Sequence, residues 1–284
     1  MSTSDNSSQD DVNKWLFTSE QLQNTPSIRR GMSQVDELYQ RQNAASLIRN
    51  IAGKLKDHCN QPNSSGLCSC TAMVFMHRFY MFHPFQKFPA NVMAPCFLFL
   101  AAKVEEAPIR LEYVLKTAHM FIHPKSPPPT EKELTRLKND LIYNENLLLQ
   151  TLGFDFIILH PHTPVIECAA LIRATKGMTR QAYDLATNSL HFTTMCVRYT
   201  PEVVACVCLN TVLKGHSLTI GPSEEGKYWW NHFSKDLTKE ELESITEEYA
   251  NIMKHSKNFK RWMQPEPRTH GSQDSHMHGG STGR

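Results

Sequence analysis

Apolar positions in this chain recur with helical spacing, and no stretch of useful length alternates as a strand would. Proline and glycine mark the stops. A short segment, Trp15 to Leu22, ends near Pro26. Helical periodicity then runs through Leu38, Ala45, Ile48, Ala52 and Leu55, as far as a loop at 60–66. A second helix is predicted over Thr71 to Phe82, a third over Val92 to Glu106, and a fourth through Leu111, Val114, Leu115, Ala118 and Ile122. The tract Ser126-Pro127-Pro128-Pro129 excludes helix, and a fifth helix opens at Thr130 and closes at Gly153.

The third helix is the most informative. Its centre, Cys96 to Ala102, is an unbroken apolar run. It is too short to span a membrane and too continuous for a helix with one wet face. That predicts the central helix of an all-α bundle, carrying Lys103, Glu105 and Glu106 to one end of the core. A second such run, Val203 to Leu209, follows 107 positions later and is opened by Thr200-Pro201. The second half repeats the plan. Helices are predicted from Thr163-Pro164, over about Thr179 to Tyr199, from Thr200 towards Gly215, at Lys227 to Phe233, and from Thr238 to near His255.

The last helix of each half checks the repeat. Thr130-x-x-Glu133 and Thr238-x-x-Glu241 both have capping-box spacing. Counting on from each threonine, Leu134, Leu137 and Leu141 match Leu242, Ile245 and Tyr249 as one apolar stripe. The next stripe position is Met253 in the second half and Glu145 in the first. An unpaired buried carboxylate is costly. Either Glu145 rides the edge of the stripe and reaches water, or a cation lies beside it, Lys103 being the natural candidate.

Composition narrows the class. A net charge of +2 gives no argument for nucleic acid as the main partner. The start is polar and acidic, without signal-peptide character, which predicts an intracellular chain whose eight cysteines are reduced. Cys68 with Cys70 and Cys206 with Cys208 are C-x-C pairs, and C-x-x-C ligand spacing does not occur, so no metal is expected. Phosphate-loop, dinucleotide, zinc-protease and nucleophile-elbow motifs are absent, so neither catalytic residues nor a cofactor are expected. Lys254, Lys257, Lys260 and Arg261, with Phe259 and Trp262, form a basic segment interleaved with aromatics, a weak signal for RNA or an acidic partner. His270, His276 and His278 lie in a Gly/Ser-rich tail whose composition predicts disorder.

Two tandem five-helix units carrying F-L-A-A-K-V-E (99–105), M-H-R-F-Y-M (76–81), L-L-L-Q-T-L-G-F (147–154), H-P-H-T (160–163), A-T-N-S-L-H (186–191) and Y-T-P-E-V-V-A-C-V-C (199–208) resemble the paired cyclin boxes of the transcriptional cyclins of the T type, with cyclin K as the near neighbour. The resemblance covers roughly residues 15–262. It implies an N-terminal helix and first box over 14–156, a second box over 157–262, and disordered ends at 1–13 and 263–284. It further implies a non-catalytic nuclear subunit that binds and activates a cyclin-dependent kinase, promoting phosphorylation of the RNA polymerase II C-terminal domain and transcription elongation. The kinase-binding residues it implies are Lys103, Glu105, Glu106, Glu145, Leu148 and Phe154. An elongation scaffold would dock near Tyr228, Trp229 and Trp230. The alternative is a helical protein- or RNA-binding adaptor that activates no kinase.

Overall fold

The computed structural model describes residues 14–56 and 65–255. Those residues form ten α-helices and no strand. Helix α1 (Ser19–Gln23) precedes a bundle of α2 (Gln34–Leu55), α3 (Ser65–Phe79), α4 (Ala90–Val104), α5 (Leu111–Ile122) and α6 (Glu131–Leu152). A second bundle follows, with α7 (His162–Leu171), α8 (Lys176–Phe192), α9 (Pro201–Gly215) and α10 (Lys239–His255). The place of its fourth helix is taken by a single 3-10 turn, Trp229–His232.

The local rules of the sequence account for the helix ends. Thr130 accepts from the Glu133 amide at 3.4 Å while the Glu133 carboxylate accepts from the Thr130 amide at 2.8 Å. Thr238 and Glu241 repeat this arrangement at 3.2 and 3.0 Å. Gly153 closes α6 in the left-handed conformation that a residue without Cβ enters freely. Other boundaries differ from expectation. Helix α3 starts at Ser65 rather than Thr71. The predicted 179–199 helix breaks after Phe192, because Thr193 turns to extended backbone and its hydroxyl donates to the Ser189 carbonyl at 2.6 Å. Helix α7 opens one residue before Thr163, with Pro161 as its cap.

Each bundle wraps its own core. Cys96 to Ala102 are all buried, as are Val204 to Leu209, with Val203 half-buried at the start of its run. Helix α3 is buried as completely, every residue from Cys68 to Phe79, because it lies between α2, α4 and the second bundle.

The two bundles meet through polar side chains held in fixed protonation states. Gln42 of α2 donates to the Phe192 carbonyl at 2.9 Å, and His77 Nε2 donates to the Leu190 carbonyl at 2.9 Å. Arg49 donates to His191 Nδ1 at 3.2 Å, which leaves the His191 Nε2 proton to reach Ser46 Oγ at 2.9 Å. Burial, with the Arg41 and Arg49 guanidinium groups beside them, pushes His77 and His191 down to about 3. Deeper in the first bundle, Arg41 donates to Glu37 at 2.7 Å and to the His77 carbonyl at 3.0 Å. Thr25 donates to the other Glu37 oxygen.

Candidate functional site

An ion pair open to solvent on one side lies between α4 and α6. The Lys103 ammonium donates to both oxygens of Glu145, at 2.8 and 3.0 Å. Helical periodicity puts Glu145 on the inward stripe of α6, where it is only 8% exposed. Lys103 sits in the last turn of α4, where a cation also complements the exposed carbonyls of the helix end. Its side chain remains 45% exposed, and its ammonium lies 4.2 Å from the centroid of Phe99, one helical turn back. Beneath the pair the Cys96 thiol is held neutral, pushed up first by burial and then by the Glu145 charge. The site is thus a buried carboxylate reached from solvent through a half-exposed lysine.

Two residues that follow these helices hold unusual backbone. Glu106, just past α4, is exposed at φ 54°, and Phe154, just past α6, at φ 58°. Neither is glycine, so each left-handed residue costs about 1–2 kcal/mol. Backbone bonds impose the shape: the Ala107 amide reaches back to Ala102 at 2.9 Å, and the Phe154 amide to Leu149 at 3.2 Å. Phe154 consequently projects into solvent, 64% exposed, with only an edge contact to Phe156 at 6.2 Å.

Other expected members of the site stand elsewhere. Leu148 is completely buried in the first core, so it supports the surface from beneath and offers no contact of its own. Glu105 turns towards the link between the bundles, where it accepts from Thr71 at 2.5 Å. That hydroxyl, its proton used, accepts from His160 Nε2 at 2.9 Å. Sequence reasoning missed the role of Phe99 beside Lys103. The signal was present: Phe99 lies four residues before Lys103, one turn back on the same helix face.

The aromatic trio of the second bundle divides. Trp229 and Trp230 are 7% and 5% exposed and belong to the core, with Trp230 Nε1 donating to the Leu237 carbonyl at 3.1 Å. This corrects the expectation that they form a docking surface: the short 3-10 turn directs both indoles inward. Tyr228 is half-buried and stacked on Trp230 with centroids 4.4 Å apart. Of the basic segment, Lys254 is exposed on α10, while Lys257, Lys260 and Arg261 lie outside the described residues, as do the tail histidines. Both C-x-C pairs are buried inside helices. Among the described residues no three His, Cys, Asp or Glu side chains come together as metal ligands, and no helix is long and apolar enough to cross a membrane.

Comparison with known proteins agrees with this architecture. Residues 15–157 match the family model "Cyclin, N-terminal domain", and residues 160–252 match "Cyclin-T2-like, C-terminal domain". The chain is 44% identical to human Cyclin-T1 over 247 residues, which is 86% of this chain and 33% of that protein. It is 44% identical to Drosophila melanogaster Cyclin-T over 242 residues, 85% of this chain and 21% of that one. It therefore spans a third or less of the length of these two curated relatives. A chain in the crystal structure of the yeast RNA Pol II CTD kinase CTDK-1 complex shares the fold, with a TM-score of 0.69 at 13% identity over 86% of this chain and 74% of that one. Two family models that together take in both bundles, and relatives of one type across insects and mammals, lead to one conclusion: this chain belongs to the cyclin family, and within it to the T type.

Proposed function

We propose that this chain is the non-catalytic regulatory subunit of a transcriptional cyclin-dependent kinase, acting in the nucleus to promote phosphorylation of the RNA polymerase II C-terminal domain and transcription elongation. The first repeat, residues 14–156, is the kinase-binding half, with Lys103, Glu145, Glu106 and Phe154 as its contacts and Glu105 and Leu148 holding the surface in place. The observation that carries this reading is the Lys103–Glu145 pair. A carboxylate on a buried stripe, matched by methionine in the parallel unit, is not what packing alone selects. It suits a surface where the carboxylate accepts backbone N–H groups of a partner and the lysine donates to carbonyls. The exposed Phe154, held out by left-handed backbone, supplies an apolar anchor beside such polar contacts. Tyr228 is the member of the aromatic trio left for an elongation scaffold.

The test is capture of partners from nuclear extract on the immobilised chain, with identification of any bound kinase and assay of its activity on polymerase C-terminal repeats. A kinase that is captured and activated supports the proposal; recovery of RNA or of other proteins without kinase activity supports an adaptor instead. Lys103→Ala and Glu145→Ala should each weaken kinase binding by about 2–5 kcal/mol. Because they share partners, the double variant should lose clearly less than the sum. Near-normal binding by both single variants refutes the assignment.

A further inference from the structure

The two bundles do not close completely on each other. Between them lies a cavity of about 130 Å³, walled by Val74, Ile158, Leu190, Pro201 and Val204 and roofed by Trp15. None of Lys103, Glu145, Glu106 and Phe154, the proposed kinase contacts, lines it. Two charged residues line it, Arg78 of α3 and Asp155 of the link. Asp155 is already engaged, accepting from Lys14 at 2.7 Å and from Trp15 Nε1 at 2.8 Å. Arg78 is not. It is 7% exposed, and its buried Nε and Nη1 have no hydrogen-bond partner. Its guanidinium lies 4.6 Å from the centroid of Trp15, a contact to the ring that satisfies no N–H. The nearby Cys196 thiol, pushed up by burial to about 12, supplies no anion.

Native interiors rarely leave buried donors unpaired, and burying a donor without a hydrogen bond is costly. Both the shape and the unpaired donors specify what would complete it. An engineered protein cavity of roughly 150 Å³ admits benzene, so this chamber suits one small ring or branched alkyl group. The unpaired donors call for an oxyanion, and a planar carboxylate matches guanidinium hydrogen bonding.

We propose that the cavity between the two repeats is a binding site for a small apolar monocarboxylate. The ring or alkyl group fills the chamber, and the carboxylate accepts from the unpartnered N–H groups of Arg78. Because Trp15, the link and α3, α8 and α9 all contribute walls, an occupant fastens the two bundles together. Binding therefore raises the unfolding temperature of the chain as well as releasing heat.

The test titrates the whole 284-residue chain with benzoate and with phenylacetate, followed by calorimetry and thermal unfolding. Benzamide and benzyl alcohol serve as neutral analogues of the same shape, and acetate and phosphate as anions without the apolar group. The carboxylates should bind about ten- to a hundredfold more tightly than the neutral analogues, the worth of a charge-assisted hydrogen bond. Arg78→Met should erase that preference. A second variant, Leu159→Trp at the exposed mouth, leaves Arg78 and the core intact and should weaken every ligand. The proposal fails if acid and amide bind alike, if Arg78→Met keeps the preference, or if no carboxylate binds by about 10 mM. It also fails if acetate or phosphate binds as well as benzoate, or if binding requires the carboxylate to be carried on a peptide.

Discussion

Replacing Glu145 by methionine should separate stability from binding. Met253 holds the parallel position of α10 and is buried, so the helical plan accommodates this side chain. The substitution gives up an ion pair with a lysine that is nearly half exposed, worth up to about 1 kcal/mol. It also relieves the desolvation of a buried carboxylate and adds apolar contact, which for buried pairs often makes the exchange neutral or favourable. Net folding stability should therefore be unchanged or higher by up to about 1 kcal/mol.

Lys103→Met should behave differently. It leaves a buried carboxylate without its lysine, at about 1–3 kcal/mol, and removes the contact with Phe99, at about 0.5–1 kcal/mol. Both variants should lose about 2–5 kcal/mol of kinase binding. Urea denaturation of the free chain and calorimetric titration of the kinase give the two quantities. If Glu145→Met destabilises the free chain by more than about 1 kcal/mol and binds normally, the carboxylate is a structural element and the site assignment is wrong.

Acid should loosen the junction between the bundles before it unfolds either one. His77 and His191 are held down to about 3 and His160 to about 4, all first by burial, whereas an unfolded chain binds these protons near pH 6.5. Stability therefore falls as pH drops from about 6.5 towards 4, by about 3 kcal/mol per histidine at pH 4.5. Denaturant melts across that range should show the slope, His191→Gln should flatten it, and a profile unchanged by that variant refutes the role. Trp230→Ala should destabilise the second bundle by about 3–5 kcal/mol, as expected for a core indole; a thermal melt close to that of the parent chain would return Trp230 to the surface.

Much of the fold was legible because it rests on local rules. The central runs, both capping boxes and the Gly153 stop follow from residue type and spacing alone. What escaped was set by long-range packing. Helix α3 carries His77 and Arg78, yet it is buried from Cys68 to Phe79 because the second bundle covers its polar side. The resemblance puts a docking partner near Trp229 and Trp230, but a single 3-10 turn points both indoles inward. At the candidate site, spacing singled out Glu145 and offered Lys103 as its partner. Spacing alone left open whether the carboxylate reached water, since burial depends on helices distant in sequence.

The repeat itself supplies the control that a single bundle would lack. Two units with the same helical plan solve the same packing problem, so positions where they agree need no explanation beyond the fold. Leu134 and Leu242 are such a pair, the same side chain equally buried, and Leu141 and Tyr249 are another, different side chains both buried. Position 145 breaks the agreement in kind, putting a charge where its counterpart is apolar. Its lysine partner lies in a different helix, which the second unit has no need to match, because Met253 carries no charge. A difference that packing does not demand, confined to one unit and partly open to solvent, is where the chain differs from a purely structural repeat. The Arg78 cavity has the same logic at the junction: donors buried by both units and satisfied by neither belong to whatever else the junction holds.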